Sequence, residues 1–162
     1  KAGILDGENF FSFLERGRYP IISPIEKAIR LKERVVRIDE RDRGLRKILN
    51  LGHTFAHAIE SATNYRRYLH GEAVSIGMMY AIRLGEAIGV TDETLKDRVK
   101  VLLERFELPV ELKGIDPQRL IPYFYVDKKA TTGSLSFIIP LKIGDVREFK
   151  DVKLEILGGI LR

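Results

Sequence analysis

Apolar residues recur at helical spacing along most of the chain, which predicts a series of amphipathic helices. The first begins at Ser23-Pro24-Ile25-Glu26, a capping box with proline at the first helical position, and ends near Ile38. The second covers Leu45 to Ala62, although Gly52 weakens it, and the third covers Gly71 to Ile88. These segments predict a chain that is mainly helical.

Cap, turn and strand signals predict the remaining elements. Thr91-Asp92-Glu93 opens a further amphipathic helix, and Asp116-Pro117 precedes a short one. Two β-rich runs separated by a turn then predict a small terminal hairpin, formed by Leu135–Leu141, Gly144-Asp145 and Val152–Leu157. The predicted fold is mainly α: one multi-helical domain over residues 1–162 with a short C-terminal β-hairpin.

Composition and charge narrow the range of functions. No stretch approaches the ~20 uninterrupted apolar residues that a membrane span needs, and the absence of cysteine excludes disulfides and thiolate metal sites. The net charge is +5, from 28 Lys and Arg against 23 Asp and Glu. This mild excess predicts an anionic partner, which is a phosphorylated metabolite, a nucleotide or nucleic acid. Because the two signs are interleaved and nucleic-acid binders more often have a concentrated basic stripe, nucleic acid is not the expected partner, and no membrane partner is expected. Since the chain starts at Lys1 rather than at methionine, we interpret it as a fragment.

The three histidines of the chain all lie between positions 53 and 70. His53 and His57 are four residues apart, so they share one face of the second predicted helix, and His70 lies at the start of the third. Neutral imidazole is a common zinc ligand, and catalytic zinc sites usually take three protein ligands. The spacing is equally compatible with three histidines that each contact a backbone carbonyl group.

A polar stripe follows the second predicted helix through Arg46, Asn50, His53 and His57. Solvated helix faces are usually rich in Lys, Glu and Gln, so a stripe that carries Asn and His favours a face that lines a site. Lys32 lies among the apolar positions of the first predicted helix. A lysine there needs either a bound anion or a side chain long enough to reach solvent.

Taken together, these segments resemble the dehydroquinate synthase family, in the same order and spacing from Lys1 to about Gly144. The most specific block is Asn50-x-Gly52-His53-x3-His57-Ala-Ile-Glu60. The other matching segments are Lys32-x-x-Val-Val-x-x-Asp39-Glu40, Gly44-Leu-Arg46, Leu69-His70-Gly71-Glu72-Ala-Val and Asp127-Lys128-Lys129. The chain departs from the family at Asp42, where glutamate is usual, and at Ala56, which is often glycine.

The resemblance implies a role for each matching residue. His53 and His70 would be metal ligands, and His57 would be a catalytic residue that transfers protons or contacts phosphate. The implied substrate-binding residues are Lys1, Lys32, Asp42, Arg46, Asn50, Lys128 and Lys129, with the choice between the last two left open. The third metal ligand of the family is a glutamate in a Glu-x-x-Lys motif. Lys1 matches the lysine of that motif, so the glutamate would precede residue 1.

The resemblance also implies an activity and its partners. Members convert a phosphorylated seven-carbon sugar acid to dehydroquinate with loss of phosphate, in the shikimate pathway of aromatic amino-acid synthesis. They use NAD and one divalent metal, Zn²⁺ or another such as Co²⁺, and are commonly homodimers. The NAD-binding α/β domain would lie upstream and be absent from this chain, so the chain alone would be inactive. A cytoplasmic location is expected.

Four other functions remain open from the sequence. The least favoured is nucleic-acid binding, because no recognisable motif or dense basic face supports it. The nearest is a related sugar-phosphate cyclase that uses the same motif. The second is a metal-dependent alcohol or glycerol dehydrogenase, but Lys32 and Arg46 favour a doubly anionic substrate over a simple alcohol. The third is a non-catalytic helical module that binds a metal or a partner protein.

Overall fold

The computed structural model describes residues 1–41, 44–124 and 135–162, except for the side chain of Leu154. Its α-helices are α1 (Ala2–Asp6), α2 (Glu8–Arg16), α3 (Ile22–Ile38), α4 (His53–Ala62), α5 (His70–Ala87), α6 (Leu95–Arg105) and α7 (Leu154–Ile160). Two 3₁₀ helices cover Leu45–Asn50 and Pro117–Leu120. Strands β1 (Ser136–Lys142) and β2 (Asp145–Lys150) form an antiparallel hairpin. The predicted fold class, mainly α with a C-terminal hairpin, is confirmed.

Helix α5 is the centre of the core. Its residues from Ala73 to Ile82 are all buried, as are Leu84 and Gly85, because α4, α6, α7 and β1 pack around it. An aromatic cluster joins three of these elements: Phe55 of α4 lies 5.5 Å from Tyr80 of α5 and 5.2 Å from Phe137 of β1, between ring centroids. This packing holds α4 firmly against the start of α5.

Two glycines allow α4 and α5 to approach closely. A Cβ atom on Gly77 of α5 would lie 2.1 Å from the carbonyl oxygen of Gly52, and one on Gly52 would lie 2.8 Å from the carbonyl oxygen of Val74. Gly52 also has φ of +81°, a left-handed conformation that favours glycine. The two backbones therefore touch one residue before α4 begins at His53.

The second predicted helix is wrong as a continuous element. The chain forms the 3₁₀ helix Leu45–Asn50, turns at Leu51 and Gly52, and only then begins α4. The left-handed backbone of Gly52 lies between the two helices. Gly52 therefore divides the predicted helix into two, rather than only weakening it. The third predicted helix is confirmed as α5.

The predicted start and buried face of the first helix are also wrong. Helix α3 begins at Ile22, and no side chain caps its N-terminus, so Ser23 lies inside the first turn. Ile25 and Ile29 are 46% and 61% exposed, whereas Leu31 and Val35 are buried. The apolar pattern predicted a buried face formed by Ile25, Ala28, Ile29, Val35 and Val36, and of these residues Val35 is the one that is buried. The buried face is therefore rotated relative to the predicted one. Helices α1 and α2 had not been predicted.

The second strand of the C-terminal hairpin lies earlier in the chain than predicted. Strand β2 pairs with β1 from Asp145 to Lys150, and the predicted second strand, Val152–Leu157, instead runs into α7. Asp151 has φ of +56°, which turns the chain out of the sheet. Leu157 and Leu161, four residues apart, are then fully buried, as expected for one face of a helix.

The remaining predicted helices hold, with small shifts. Helix α6 begins at Leu95, after a turn in which the Asp92 carboxylate accepts a hydrogen bond of 2.8 Å from the Thr94 N–H. Asp116 caps the 3₁₀ helix Pro117–Leu120 through the Gln118 N–H, as its cap signal predicted. Within the described residues, no helix has the length and hydropathy to cross a membrane.

Arg98 of α6 connects α6 to α2 through two ion pairs and a cation–π contact. Its guanidinium group donates to the Glu8 carboxylate at 2.6 Å and to the Glu15 carboxylate at 2.8 Å, and it lies 5.0 Å from the centre of the Phe11 ring. These contacts raise the pKa of Arg98 and lower that of Glu8. The positive charge is thus shared between two acids on one helix.

We expect Arg98→Ala to lower the free energy of unfolding by about 1–2 kcal/mol, because two ion pairs and a cation–π contact are lost together. Chemical denaturation followed by circular dichroism measures the change. Lys96→Ala is the matched control, since Lys96 of the same helix forms a single ion pair with Glu86. Equal losses in the two variants would contradict the prediction.

Candidate metal and anion site

The three histidine rings meet at the junction of α4 and α5. His53 is the first residue of α4, His57 lies one turn later, and His70 is the first residue of α5. The centroid of the His53 ring lies 5.3 Å from that of His70 and 6.0 Å from that of His57, and the other two are 6.2 Å apart. The histidines that lie close in sequence are therefore also gathered in space.

Each imidazole uses its Nδ1 atom for a hydrogen bond to an oxygen. Nδ1 of His53 lies 3.2 Å from the Leu51 carbonyl oxygen. Nδ1 of His57 lies 3.2 Å from Glu60 Oε2, and Nδ1 of His70 lies 2.9 Å from Glu60 Oε1. Carbonyl and carboxylate oxygens only accept hydrogen bonds, so each Nδ1 carries the proton. In the neutral rings the lone pair therefore lies on Nε2, the atom that can bind a metal ion or a proton.

His53 and His70 fit two positions of a metal site. Imidazole suits Zn²⁺ and similar ions, and two rings on one tetrahedral Zn²⁺ have centroids about 5 Å apart, because the Zn–N distance is about 2.0–2.1 Å. The His53–His70 separation of 5.3 Å matches this spacing. Within residues 1–41, 44–124 and 135–162, however, no three His, Asp or Glu side chains form a complete ligand set. The two histidines would need a further ligand from elsewhere.

The electrostatics of His53 favour the neutral ring. Burial lowers the pKa of His53 below its ordinary value of 6.5, and the positive charge of Lys1 lowers it further. The ring is therefore unprotonated at neutral pH, which is the form that binds metal ions.

A cavity of about 420 Å³ opens beside His53. Its polar lining is cationic or neutral and comprises Lys1, Lys32, Arg46, Asn50 and His53, while Ala2, Leu5, Ala28, Leu31 and Leu49 supply the apolar wall. Five residues predicted from the sequence are thus brought together. The cavity is suited to a small anion with an apolar body.

Lys1 and Lys32 reach the cavity from separate elements. The Lys1 ammonium group donates to the Leu49 carbonyl oxygen at 2.9 Å. The surrounding protein atoms lower the pKa of Lys1, and the charge of Lys32 lowers it further. Lys32 is exposed on α3, which agrees with the alternative that its side chain reaches solvent. It borders the cavity from its open side.

The loop before the 3₁₀ helix Leu45–Asn50 places Arg46. The Asp39 carboxylate accepts hydrogen bonds from the N–H groups of Gly44 at 2.8 Å and of Arg46 at 3.0 Å, and the Arg46 side chain donates to the Glu40 carbonyl oxygen at 3.2 Å. The predicted continuous stripe from Arg46 to His57 is wrong, because Gly52 interrupts the helix. Arg46, Asn50 and His53 nevertheless line one cavity, while His57 lies next to His53 and outside that lining.

Some predicted residues are not placed, and some placed residues were not predicted. Asp42, Lys128 and Lys129 lie outside the described residues, so their predicted roles remain predictions. Glu60 ends the most specific family block, but the sequence predicted no function for it. Its i+3 spacing from His57 is the signal that could have indicated a contact between the two side chains. No local signal in the sequence pointed to the contact between Gly52 and Gly77.

The chain shares its fold with two synthases of known structure. The chain aligns over 99% of its length, and over 47% of the other chain, with 2-epi-5-epi-valiolone synthase from Streptomyces hygroscopicus subsp. jinggangensis 5008, solved with NAD⁺ and Zn²⁺ bound, at a TM-score of 0.84 and 22% identity. It aligns over 86% of its length, and 42% of the other, with 2-deoxy-scyllo-inosose synthase complexed with carbaglucose-6-phosphate, NAD⁺ and Co²⁺, at a TM-score of 0.73 and 23% identity.

The chain belongs to the 3-dehydroquinate synthase family, because the family model described as 3-dehydroquinate synthase C-terminal matches residues 1–130. It is 47% identical over 138 residues to the 3-dehydroquinate synthase of Campylobacter concisus, covering 85% of this chain and 40% of that protein. It is 40% identical over 166 residues to that of Nitratiruptor sp., covering 100% of this chain and 48% of that protein. The chain thus spans less than half the length of these relatives.

Proposed function

We propose that this chain is the metal- and substrate-binding part of a 3-dehydroquinate synthase. The full-length enzyme would convert 3-deoxy-D-arabino-heptulosonate 7-phosphate to 3-dehydroquinate and phosphate in the shikimate pathway, as a carbon–oxygen lyase. The observation that carries the proposal is the cavity in which Lys1, Lys32 and Arg46 converge beside His53. These cations suit a substrate that has both a carboxylate and a phosphate group.

The proposal assigns NAD binding to an upstream domain. The matched proteins of Campylobacter concisus and Nitratiruptor sp. are more than twice as long as this chain, so they have room for such a domain. It places the enzyme in the cytoplasm, as a homodimer, and it assigns no nucleic acid or membrane partner. The isolated chain is expected to be inactive, because it would lack the domain that holds the oxidant.

Six described residues of the site have an assigned part in the proposed reaction. Zn²⁺ or Co²⁺, held by His53, His70 and a third ligand, would polarise a substrate oxygen as a Lewis acid. His57 would move a proton at Nε2, the ring atom left free by its contact with Glu60. Lys32 and Arg46 would bind the anionic groups, and Asn50 would orient a substrate hydroxyl group.

Phosphate release by the full-length protein tests the proposal. The protein is incubated with the seven-carbon sugar phosphate, with and without NAD, and the carbocyclic product is identified by mass spectrometry. NAD-dependent release with formation of 3-dehydroquinate would support the proposal. Absence of release from protein that holds both metal and NAD would contradict it.

We expect Lys32→Met to raise KM for the sugar phosphate by about 10- to 100-fold, because a hydrogen bond to a charged group contributes about 1.5–3 kcal/mol. Steady-state kinetics of the full-length enzyme measure the change. Lys27→Met is the matched control: Lys27 lies on the same helix, but its ammonium group lies 5.3 Å from the centre of the Phe13 ring and does not line the cavity. An equal effect of the two substitutions would contradict a specific role for Lys32.

A second candidate is a related sugar-phosphate cyclase, which the fold match to 2-epi-5-epi-valiolone synthase favours. The same histidines and cationic cavity would serve a different sugar phosphate. Competition between several sugar phosphates in one reaction separates the two functions, because an enzyme consumes first the substrate for which its kcat/KM is highest. A 3-dehydroquinate synthase would consume the seven-carbon acid first.

A further inference from the structure

Glu60 is a buried acid that contacts two of the histidines. Among the described residues, Glu60 and Ser75 are the two buried polar side chains, and the Glu60 side chain is only 9% exposed. Burial of a carboxylate is unfavourable unless hydrogen-bond donors surround it. The donors that Glu60 meets are the rings of His57 and His70, one at each oxygen.

The contacts of Glu60 join two helices. His57 and Glu60 lie on consecutive turns of α4, whereas His70 is the first residue of α5. The carboxylate thus connects a ring within its own helix to a ring across the helix junction. The side chains of His57 and His70 are 63% and 57% exposed, and the Nδ1 atom of each ring faces Glu60. Neither ring is therefore enclosed by the protein.

We propose that Glu60 is a positioning residue that fixes the Nδ1–H tautomer of His57 and His70 together, and so presents both Nε2 atoms to the metal ion and the substrate. The inference rests on the proposed function, in which His70 binds the metal ion and His57 moves a proton. Carboxylates that hold a metal-binding imidazole in this way orient the ring and make it a stronger ligand.

Glutamine at this position cannot replace glutamate. Its amide has one accepting oxygen and an NH₂ group that only donates. Glu60→Gln therefore keeps the size of the side chain but sets a donor against the Nδ1–H of either His57 or His70. One of the two rings must then rotate, change tautomer or lose its partner.

The tautomers are measured first, in metal-free full-length protein labelled with ¹⁵N-histidine. Nitrogen chemical shifts in NMR distinguish an Nδ1–H ring from an Nε2–H ring, and single substitutions assign the signals. We expect Nδ1–H in both His57 and His70 of the wild type, and a change in at least one of them in Glu60→Gln. An Nε2–H form in either wild-type ring would overturn the proposal, and this observation requires no variant to fold.

Metal affinity is measured next, with Co²⁺ as the probe and its visible absorption as the signal. We expect Glu60→Gln to bind Co²⁺ about 10- to 100-fold more weakly than the wild type, as for other residues that orient metal ligands. Glu72→Gln is the matched control, because Glu72 also lies near His70 but accepts its hydrogen bond from the Leu69 N–H at 2.8 Å rather than from a ring. Equal Co²⁺ affinities in Glu60→Gln and the wild type would overturn the proposal.

The two proposals fail in different ways. A wild type that shows both Nδ1–H rings and binds Co²⁺ but releases no phosphate contradicts the proposed function and supports the role of Glu60 in orienting the rings. A wild type that releases phosphate while Glu60→Gln has unchanged tautomers and affinity supports the function and overturns the role of Glu60.

Discussion

His53→Ala is expected to remove the bound metal ion from the full-length enzyme and to lower phosphate release by about 10³-fold or more, since Lewis-acid polarisation contributes several kcal/mol. His53 contacts the cationic cavity and lies near the other two histidines, so its loss would open the proposed metal site on the side where substrate would bind. Metal content by atomic spectroscopy and kcat for phosphate release measure the two effects.

His57→Ala is the matched comparison for His53→Ala. It removes the same side chain from the same helix, one turn later. Because His57 is assigned proton transfer rather than metal binding, we expect the metal content to be retained and kcat to fall by about 10²–10⁴-fold. Loss of metal in His57→Ala would contradict the assignment of His57 to proton transfer alone. Retention of metal in His53→Ala would contradict the assignment of His53 as a metal ligand.

Gly77→Ala is expected to destabilise the fold by about 1–3 kcal/mol or more, and to weaken metal binding, because the added methyl group overpacks the junction of α4 and α5. Its Cβ would lie 2.1 Å from the Gly52 carbonyl oxygen and 3.1 Å from the Ala56 nitrogen. Both are backbone atoms, so α4 itself must move, and with it His53 and His57. Chemical denaturation and Co²⁺ titration of the full-length protein measure the two effects.

Gly71→Ala provides the control for Gly77→Ala. Gly71 lies on the same helix, directly after His70, and a Cβ there would meet no heavy atom within 4 Å. Alanine is also the better helix former by about 1 kcal/mol, so this variant is expected to be at least as stable as the wild type. Similar destabilisation in both variants would show that the close approach at Gly77 has no special role.

The structure explains why the histidine cluster could be inferred from the sequence and the contacts of Glu60 could not. His53 and His57 share a helix face whatever surrounds them, because four residues make about one turn. Whether the carboxylate of Glu60 is free or bound to His70 depends on the angle between α4 and α5. The packing of α4 on α5 includes the close approach of Gly52 and Gly77, which are far apart in sequence.

The cavity shows the same division. Arg46, Asn50 and His53 were predicted as one stripe, but the structure reaches the same grouping through a 3₁₀ helix, a turn at Gly52 and a separate α-helix. Lys1 joins them only through the folded chain, where its ammonium group contacts the Leu49 carbonyl oxygen across 48 positions of sequence. The resemblance to a known family, rather than any local pattern, had linked Lys1 to this site.

The sequence by itself determined the mainly helical class, the position of α5, the presence of a terminal hairpin and the closeness of His53 and His57. These features follow from periodicity, turn residues and helix spacing, which act over short distances along the chain. Only the tertiary structure decided which face of α3 is buried, where β2 ends, and how Glu60 joins His57 to His70. These features depend on packing between distant segments, where a helix takes the rotation that fills the core rather than the one that its own apolar residues favour most.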